Sequence, residues 1–182
     1  MTARRMVWEF IQARDHQVMR KVHRWRPPRW LRFWMVASTK LGDGWIWYSV
    51  GIALLLFGGE MRFAAFAASA SAEAATVVLF RFIKKASKRK RPCHLESHCW
   101  ANVLPPDQFS FPSGHAMSAF AIAIPLCIFY PELQAALLAL SVSIAVSRVV
   151  LGMHFVSDVV VGSLMGAGLG YGAYYGAYLL LH

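Results

Sequence analysis

The chain has 182 residues, enough for one domain, and 57% of them are hydrophobic, above the share usual in a soluble enzyme. Its net charge of +10 does not point to nucleic acid, because 17 of the 19 Lys and Arg fall within residues 4 to 40 and 81 to 91, in blocks that flank apolar runs. Bases so placed meet anionic lipid headgroups, so the expected partner is a membrane bilayer with anionic lipids.

From Arg4 to Arg26, the apolar residues Val7, Phe10, Ile11, Val18 and Val22 recur among many bases, the pattern of an amphipathic helix lying in the membrane interface. Pro27-Pro28 ends it. The stretch lacks the compact apolar core and small-residue cleavage site of a signal peptide, so insertion is expected to rely on internal spans. Trp30 to Thr39 is too short to cross a bilayer and stops at Lys40-Leu41-Gly42-Asp43-Gly44. Residues 1–43 are therefore expected to form an amphipathic, interfacial N-terminal region, and 44–182 a membrane-embedded domain.

Five hydrophobic stretches follow, at about 45–58, 61–83, 112–130, 133–150 and 155–181. The expected fold is all-α: an integral-membrane helical bundle of about five transmembrane helices plus the N-terminal interfacial helix. The first stretch is short, and Trp45, Trp47 and Tyr48 suit the headgroup boundary. Glu73 lies near the middle of the second, where a charge is costly; it has either a functional role or a buried structural partner. In the last, Gly162, Gly166 and Gly170 recur every four residues, as do Gly168, Gly172 and Gly176, a spacing expected to serve close packing inside the bundle. Composition sets no oligomeric state.

Three polar clusters punctuate these stretches: Lys84 with Arg91-Pro92, Pro112-Ser113-Gly114-His115, and Ser147-Arg148 followed by His154 and Asp158. With five spans all three reach one side of the membrane. Pro112 suits the first turn of a helix, whose unpaired N–H groups attract phosphate, and Gly114 permits close backbone approach. Ser113 can donate a hydroxyl hydrogen bond and His115 is placed to protonate a leaving oxygen. His154 and Asp158, four apart, would share one helix face with Cβ atoms ~5–6 Å apart, so that Asp158 orients His154 as a nucleophile. Lys84, Arg91 and Arg148 would neutralise phosphate oxygens. Lys85, Lys88, Arg89 and Lys90 read as a solvated, lipid-facing run.

In order and spacing these clusters resemble the signature of the type 2 phosphatidic acid phosphatase superfamily, which also includes class A bacterial acid phosphatases, glucose-6-phosphatase and vanadium haloperoxidases. The resemblance covers residues 84 to 158. It implies that Lys84, Arg91, Ser113, Gly114 and Arg148 bind phosphate, that His115 is the general acid, and that His154 is the nucleophile assisted by Asp158. It further implies a metal-independent membrane phosphatase without cofactor, acting on a lipid phosphate or diphosphate through a phosphohistidine. Undecaprenyl diphosphate leads the expected substrates, ahead of phosphatidylglycerol phosphate, phosphatidic acid and lipid A phosphate.

Cys93-His94-Leu95-Glu96-Ser97-His98-Cys99 joins the first two clusters and holds zinc-capable residue types without the usual finger spacing; a Cys93–Cys99 disulfide or free thiols are the other readings. Cys127 reads as a small packed side chain. The expected location is a bacterial inner membrane. The excess of Lys and Arg on the motif side favours the cytoplasm, whereas the family resemblance and the paired cysteines favour a periplasmic site, which is preferred. Two rival functions differ in class. A vanadate-dependent peroxidase would share the pocket, and a non-enzymatic scaffold for anionic lipids would explain the bases but not the His154 and Asp158 spacing.

Overall fold

The two basic N-terminal stretches form α1 (Ala3–Arg24) and α2 (Arg29–Leu41), separated at Pro27-Pro28, with Pro28 at the N-cap of α2. The five apolar stretches become α3 (Trp45–Phe57), α4 (Arg62–Ser87), α6 (Gly114–Phe129), α7 (Gln134–Val150) and α8 (Val156–Leu181). A short α5 (Pro92–Leu95) follows the first cluster, and a 3-10 turn, Pro131–Leu133, leads into α7. The structure, a computed structural model, describes residues 3–25, 27–95 and 108–181. The pairing of Cys93 with Cys99 and the zinc reading of their loop lie outside the described residues. Cys127 is buried beside the Trp47 and Leu126 core.

Helix α6 is the axis of the bundle, packed against α8, α4 and α7. Its Ala116, Ala119, Ala121 and Ala123 are fully buried, small enough for neighbouring helices to come close. The first glycine series explains the α6–α8 contact. A Cβ on Gly162 would stand 2.7 Å from Ser113 O, one on Gly166 2.1 Å from Met117 O, and one on Gly170 2.8 Å from Ala121 O. The two helices therefore run parallel, both starting at the same end. The second series corrects the expectation, because Gly168, Gly172 and Gly176 face open space and pack against nothing within 4 Å.

Of the expected spans, α4 and the continuous segment 131–150 are long and apolar enough to cross a membrane, while α3 and α6 are shorter apolar helices. Helix α8 has the length, 26 residues, but glycine and tyrosine dilute its apolar character. Large apolar side chains stand outward around the bundle, among them Phe33 and Phe82 at 77%, Phe57 at 84% and Leu180 at 89% exposure. Water penalises such a surface, whereas hydrocarbon does not. On α1 the face that meets the bundle combines buried Asp15 and Met19 with half-buried Ile11 and Val22, while Phe10 and Val18 stay exposed.

Candidate active site

The chain leaves α4 through Lys88, whose φ of 48° breaks the helix, and then runs extended. Ser110 N–H bonds to Arg89 O at 2.8 Å, and Lys90 bridges to Phe109. Extended backbone sends successive side chains to opposite faces. Lys88 and Lys90 accordingly face outward, while Arg89 and Arg91 are buried. Lys84, one helical turn earlier, is also buried, with Nζ 5.2 Å from the Phe80 ring centre.

Arg89 is a correction to the lipid-facing reading of this run. Its guanidinium donates to Asp158 Oδ1 at 2.6 Å, to Asp15 Oδ2 at 2.6 Å and to Ser157 Oγ at 2.7 Å. It also lies over the Phe155 and Trp8 rings. Asp15, reaching from α1, accepts from Ser157 N–H at 3.1 Å and from the Ser157 hydroxyl, and so caps the start of α8.

At α6, Ser113 is the N-cap and Gly114 the first helical residue, so Pro112 precedes the helix and does not occupy its first turn. Ser113 is buried behind the site, its N–H bonded to Asp158 O at 3.0 Å. A Cβ on Gly114 would make only ordinary contact with Phe80, 3.7 Å away, so no protein packing demands glycine there. His115 Nε2 lies 2.7 Å from Asp43 Oδ1. Glycine permits that approach: a Cβ on Gly42 would stand 2.8 Å from Ile144 Cγ2 and 3.1 Å from His115 Cδ2.

Arg148 closes α7, held by Thr39 of α2 at 2.5 Å. Its carbonyl accepts from the N–H groups of both Met153 and His154, and Gly152 turns with φ 71°. His154 therefore sits in a loop, two residues before α8 begins, and the expected shared helix face with Asp158 is not formed. His154 Nδ1 stands 3.6 Å from Asp158 Oδ2, which instead accepts from Phe155 N–H at 2.9 Å, half of a capping box. Arg91 Nη1 lies 3.0 Å from His154 Nε2 and donates to Met153 O at 2.8 Å. A guanidinium only donates, so Nε2 carries the lone pair and the ring proton belongs on Nδ1, toward Asp158. Burial, then the charges of Arg91, Arg148, Lys84 and His115, hold His154 well below the usual imidazole range.

Lys84, Arg91, Gly114, His115, Arg148 and His154 line one cavity of about 340 Å³. Ser113 and Asp158 stand behind that lining, not in it. Five cationic or protonatable groups with a helix start suit a tetrahedral oxyanion. Residues 62–180 match the family described as the PAP2 superfamily. The chain belongs to the PAP2 superfamily.

Among PAP2 relatives, the chain is similar to decaprenylphosphoryl-5-phosphoribose phosphatase of Mycolicibacterium smegmatis, 42% identical over 91 residues, 50% of this chain and 46% of the relative. It is 29% identical over 89 residues to lipid A 1-phosphatase of Rhizobium etli, 47% of this chain and 38% of the relative. The chain thus spans less than half the length of these curated relatives. Two solved structures resemble it over more of their length. The transmembrane PAP2 type phosphatidylglycerolphosphate phosphatase of Bacillus subtilis has a TM-score of 0.70 at 26% identity, with 90% of this chain and 84% of that one covered. Aquifex aeolicus LpxE has a TM-score of 0.68 at 28% identity, covering 86% and 92%. These membrane neighbours and the apolar helices associate this PAP2 chain with a membrane.

Four residues that contact this candidate site escaped the sequence reading: Asp15, Thr39, Asp43 and Arg89. The alternation of Lys88-Arg89-Lys90-Arg91 past a helix end was a readable signal for Arg89, since Arg91 shares its face. Asp15, Thr39 and Asp43 lie 72 or more residues before the residues they touch and leave no local signal.

Proposed function

We propose that this PAP2 protein is a metal-independent phosphatase of membrane lipid phosphates or diphosphates. The observation that carries the reading is the convergence of Lys84, Arg91, Arg148, His115 and His154 on one cavity. His154 Nε2 attacks phosphorus as the ester P–O bond breaks, and His115 gives its proton to the departing oxygen. Lys84, Arg91 and Arg148, with the Gly114 end of α6, hold the equatorial oxygens. Arg91 exchanges His154 Nε2 for a phosphate oxygen on substrate binding. Asp158 steadies the imidazolium, and Asp43, 2.7 Å from His115 Nε2, orients the His115 ring. Water, deprotonated by His115, then cleaves the P–N bond and releases phosphate.

Fixed cations do here what a magnesium pair does elsewhere, and among the described residues no three His, Cys, Asp or Glu converge to hold a metal. The reading is tested by assaying detergent-solubilised protein on undecaprenyl diphosphate, phosphatidylglycerol phosphate, phosphatidic acid and lipid A phosphate. Turnover of at least one is expected to survive EDTA and to be inhibited competitively by vanadate, which mimics trigonal bipyramidal phosphorus. Loss of turnover in EDTA, restored by one divalent ion, overturns metal independence.

The same reading makes the chain a five-span protein of a bacterial inner membrane, with exposed Phe10 and Val18 of α1 set in the interface and the site facing the periplasm. Sidedness is checked with a cysteine-free background carrying Lys85→Cys, an exposed position at the site end of α4. A membrane-impermeant thiol reagent should label it in intact spheroplasts. Labelling only after lysis places the site in the cytoplasm.

A further inference from the structure

The face of α4 that carries Lys84 continues inward through Arg81, Phe80 and Val77 to Glu73, all of which line the phosphate cavity. Glu73 also belongs, with Trp47, Tyr48 and Ile122, to the wall of a second, predominantly apolar cavity of about 370 Å³ between α3, α4 and α6. A lipid whose phosphate sits at His154 and whose chain enters the apolar cavity must pass Glu73. Ser118, three residues beyond His115 and so about 4.5 Å further along α6, donates to Glu73 Oε1 at 2.9 Å. Glu73 Oε2 is buried and has no hydrogen-bond partner among the described residues.

A buried acceptor without a donor is costly, and more so at membrane depth. Holding α4 to α6 requires only the oxygen that meets Ser118. The side chain that carries the second oxygen lines both cavities, about one helical turn from the general acid, the depth reached two or three bonds beyond the scissile P–O bond. We propose that Glu73 is a specificity-determining residue that accepts a hydrogen bond from a hydroxyl or N–H on the lipid, just tailward of the phosphate removed. The preferred substrate class is then a lipid monophosphate with a donor beside its phosphate, such as a glycerol or sugar phosphate. A polyprenyl diphosphate offers only acceptor oxygens at that depth. This inference rests on the phosphatase reading and narrows its substrate.

The test uses a matched pair in mixed micelles: a monoacylglycerol phosphate with its free secondary hydroxyl, and the analogue in which that carbon is a methylene. The wild-type protein should prefer the hydroxyl-bearing substrate in kcat/KM by about tenfold or more. Glu73→Ala should lower kcat/KM on that substrate alone, bringing the pair within about twofold. Glu73→Gln, whose one carbonyl oxygen stays with Ser118 while an NH2 takes the place of the second oxygen, should lose the acceptor and with it most of the preference, and serves as the variant whose folding is least disturbed. A wild-type protein indifferent to the hydroxyl, or equal losses on both substrates in Glu73→Ala, overturns the proposal and leaves the phosphatase reading standing. Failure of the wild type to hydrolyse either substrate or any lipid phosphate of the panel removes that reading, and the proposal with it.

Discussion

His154→Ala is expected to lower lipid phosphate turnover by about a thousandfold or more, because it removes the nucleophile of the proposed phosphohistidine step. His154 Nε2 is the ring nitrogen that keeps its lone pair, and burial among cations keeps the imidazole neutral. The substitution removes a buried side chain from a loop, so monodisperse elution in detergent should accompany the assay. A folded variant that keeps more than about a tenth of the wild-type rate rules out the nucleophile role, since such a loss is far below that of a covalent group. His115→Ala gives the contrast within the same assay: substrates with poor leaving groups should suffer most, because they depend most on the transferred proton.

Arg89→Ala should cost both stability and activity, whereas Lys85→Ala, exposed on the same basic run, should change neither. Arg89 is buried between Asp158 of α8 and Asp15 of α1, and its loss strands two buried carboxylates. Removing one partner of a buried pair costs about 3–5 kcal/mol, enough to lower the unfolding midpoint visibly. Because Asp158 faces His154, turnover should fall by about tenfold or more in protein that remains folded. Adding Asp15→Ala to Arg89→Ala should give a loss smaller than the sum of the two, the mark of a shared network. An Arg89→Ala protein as stable and active as Lys85→Ala would return Arg89 to the solvated, lipid-facing run.

Much of the architecture is local information. The apolar runs predict α3, α4, α6, α7 and α8 to within a few residues, because a helix that meets hydrocarbon or a core must be apolar along its length. Motif parity is local too: helices that alternate in direction bring Lys84, Arg91, His115, Arg148 and His154 to one end, and they meet in one cavity. What residue order cannot supply is the exit angle of a chain from its helix. His154 and Asp158 have helical spacing, yet the loop tied to Arg148 O starts α8 only at Val156, and the pair meets at 3.6 Å across that boundary.

The sequence by itself determined the helical bundle, the membrane character and the residue types that gather around phosphate, since periodicity, apolar length and motif order are written along one dimension. Only the tertiary structure decided that α1 and the turn before α3 complete the site, through Asp15, Asp43 and the inward face of Arg89. Likewise, equal spacing could not distinguish Gly162, Gly166 and Gly170, pressed on α6, from Gly168, Gly172 and Gly176, which face open space. Both series recur at the helical period, but they occupy different faces of α8, and which face meets a neighbour is settled by the packing of the whole bundle.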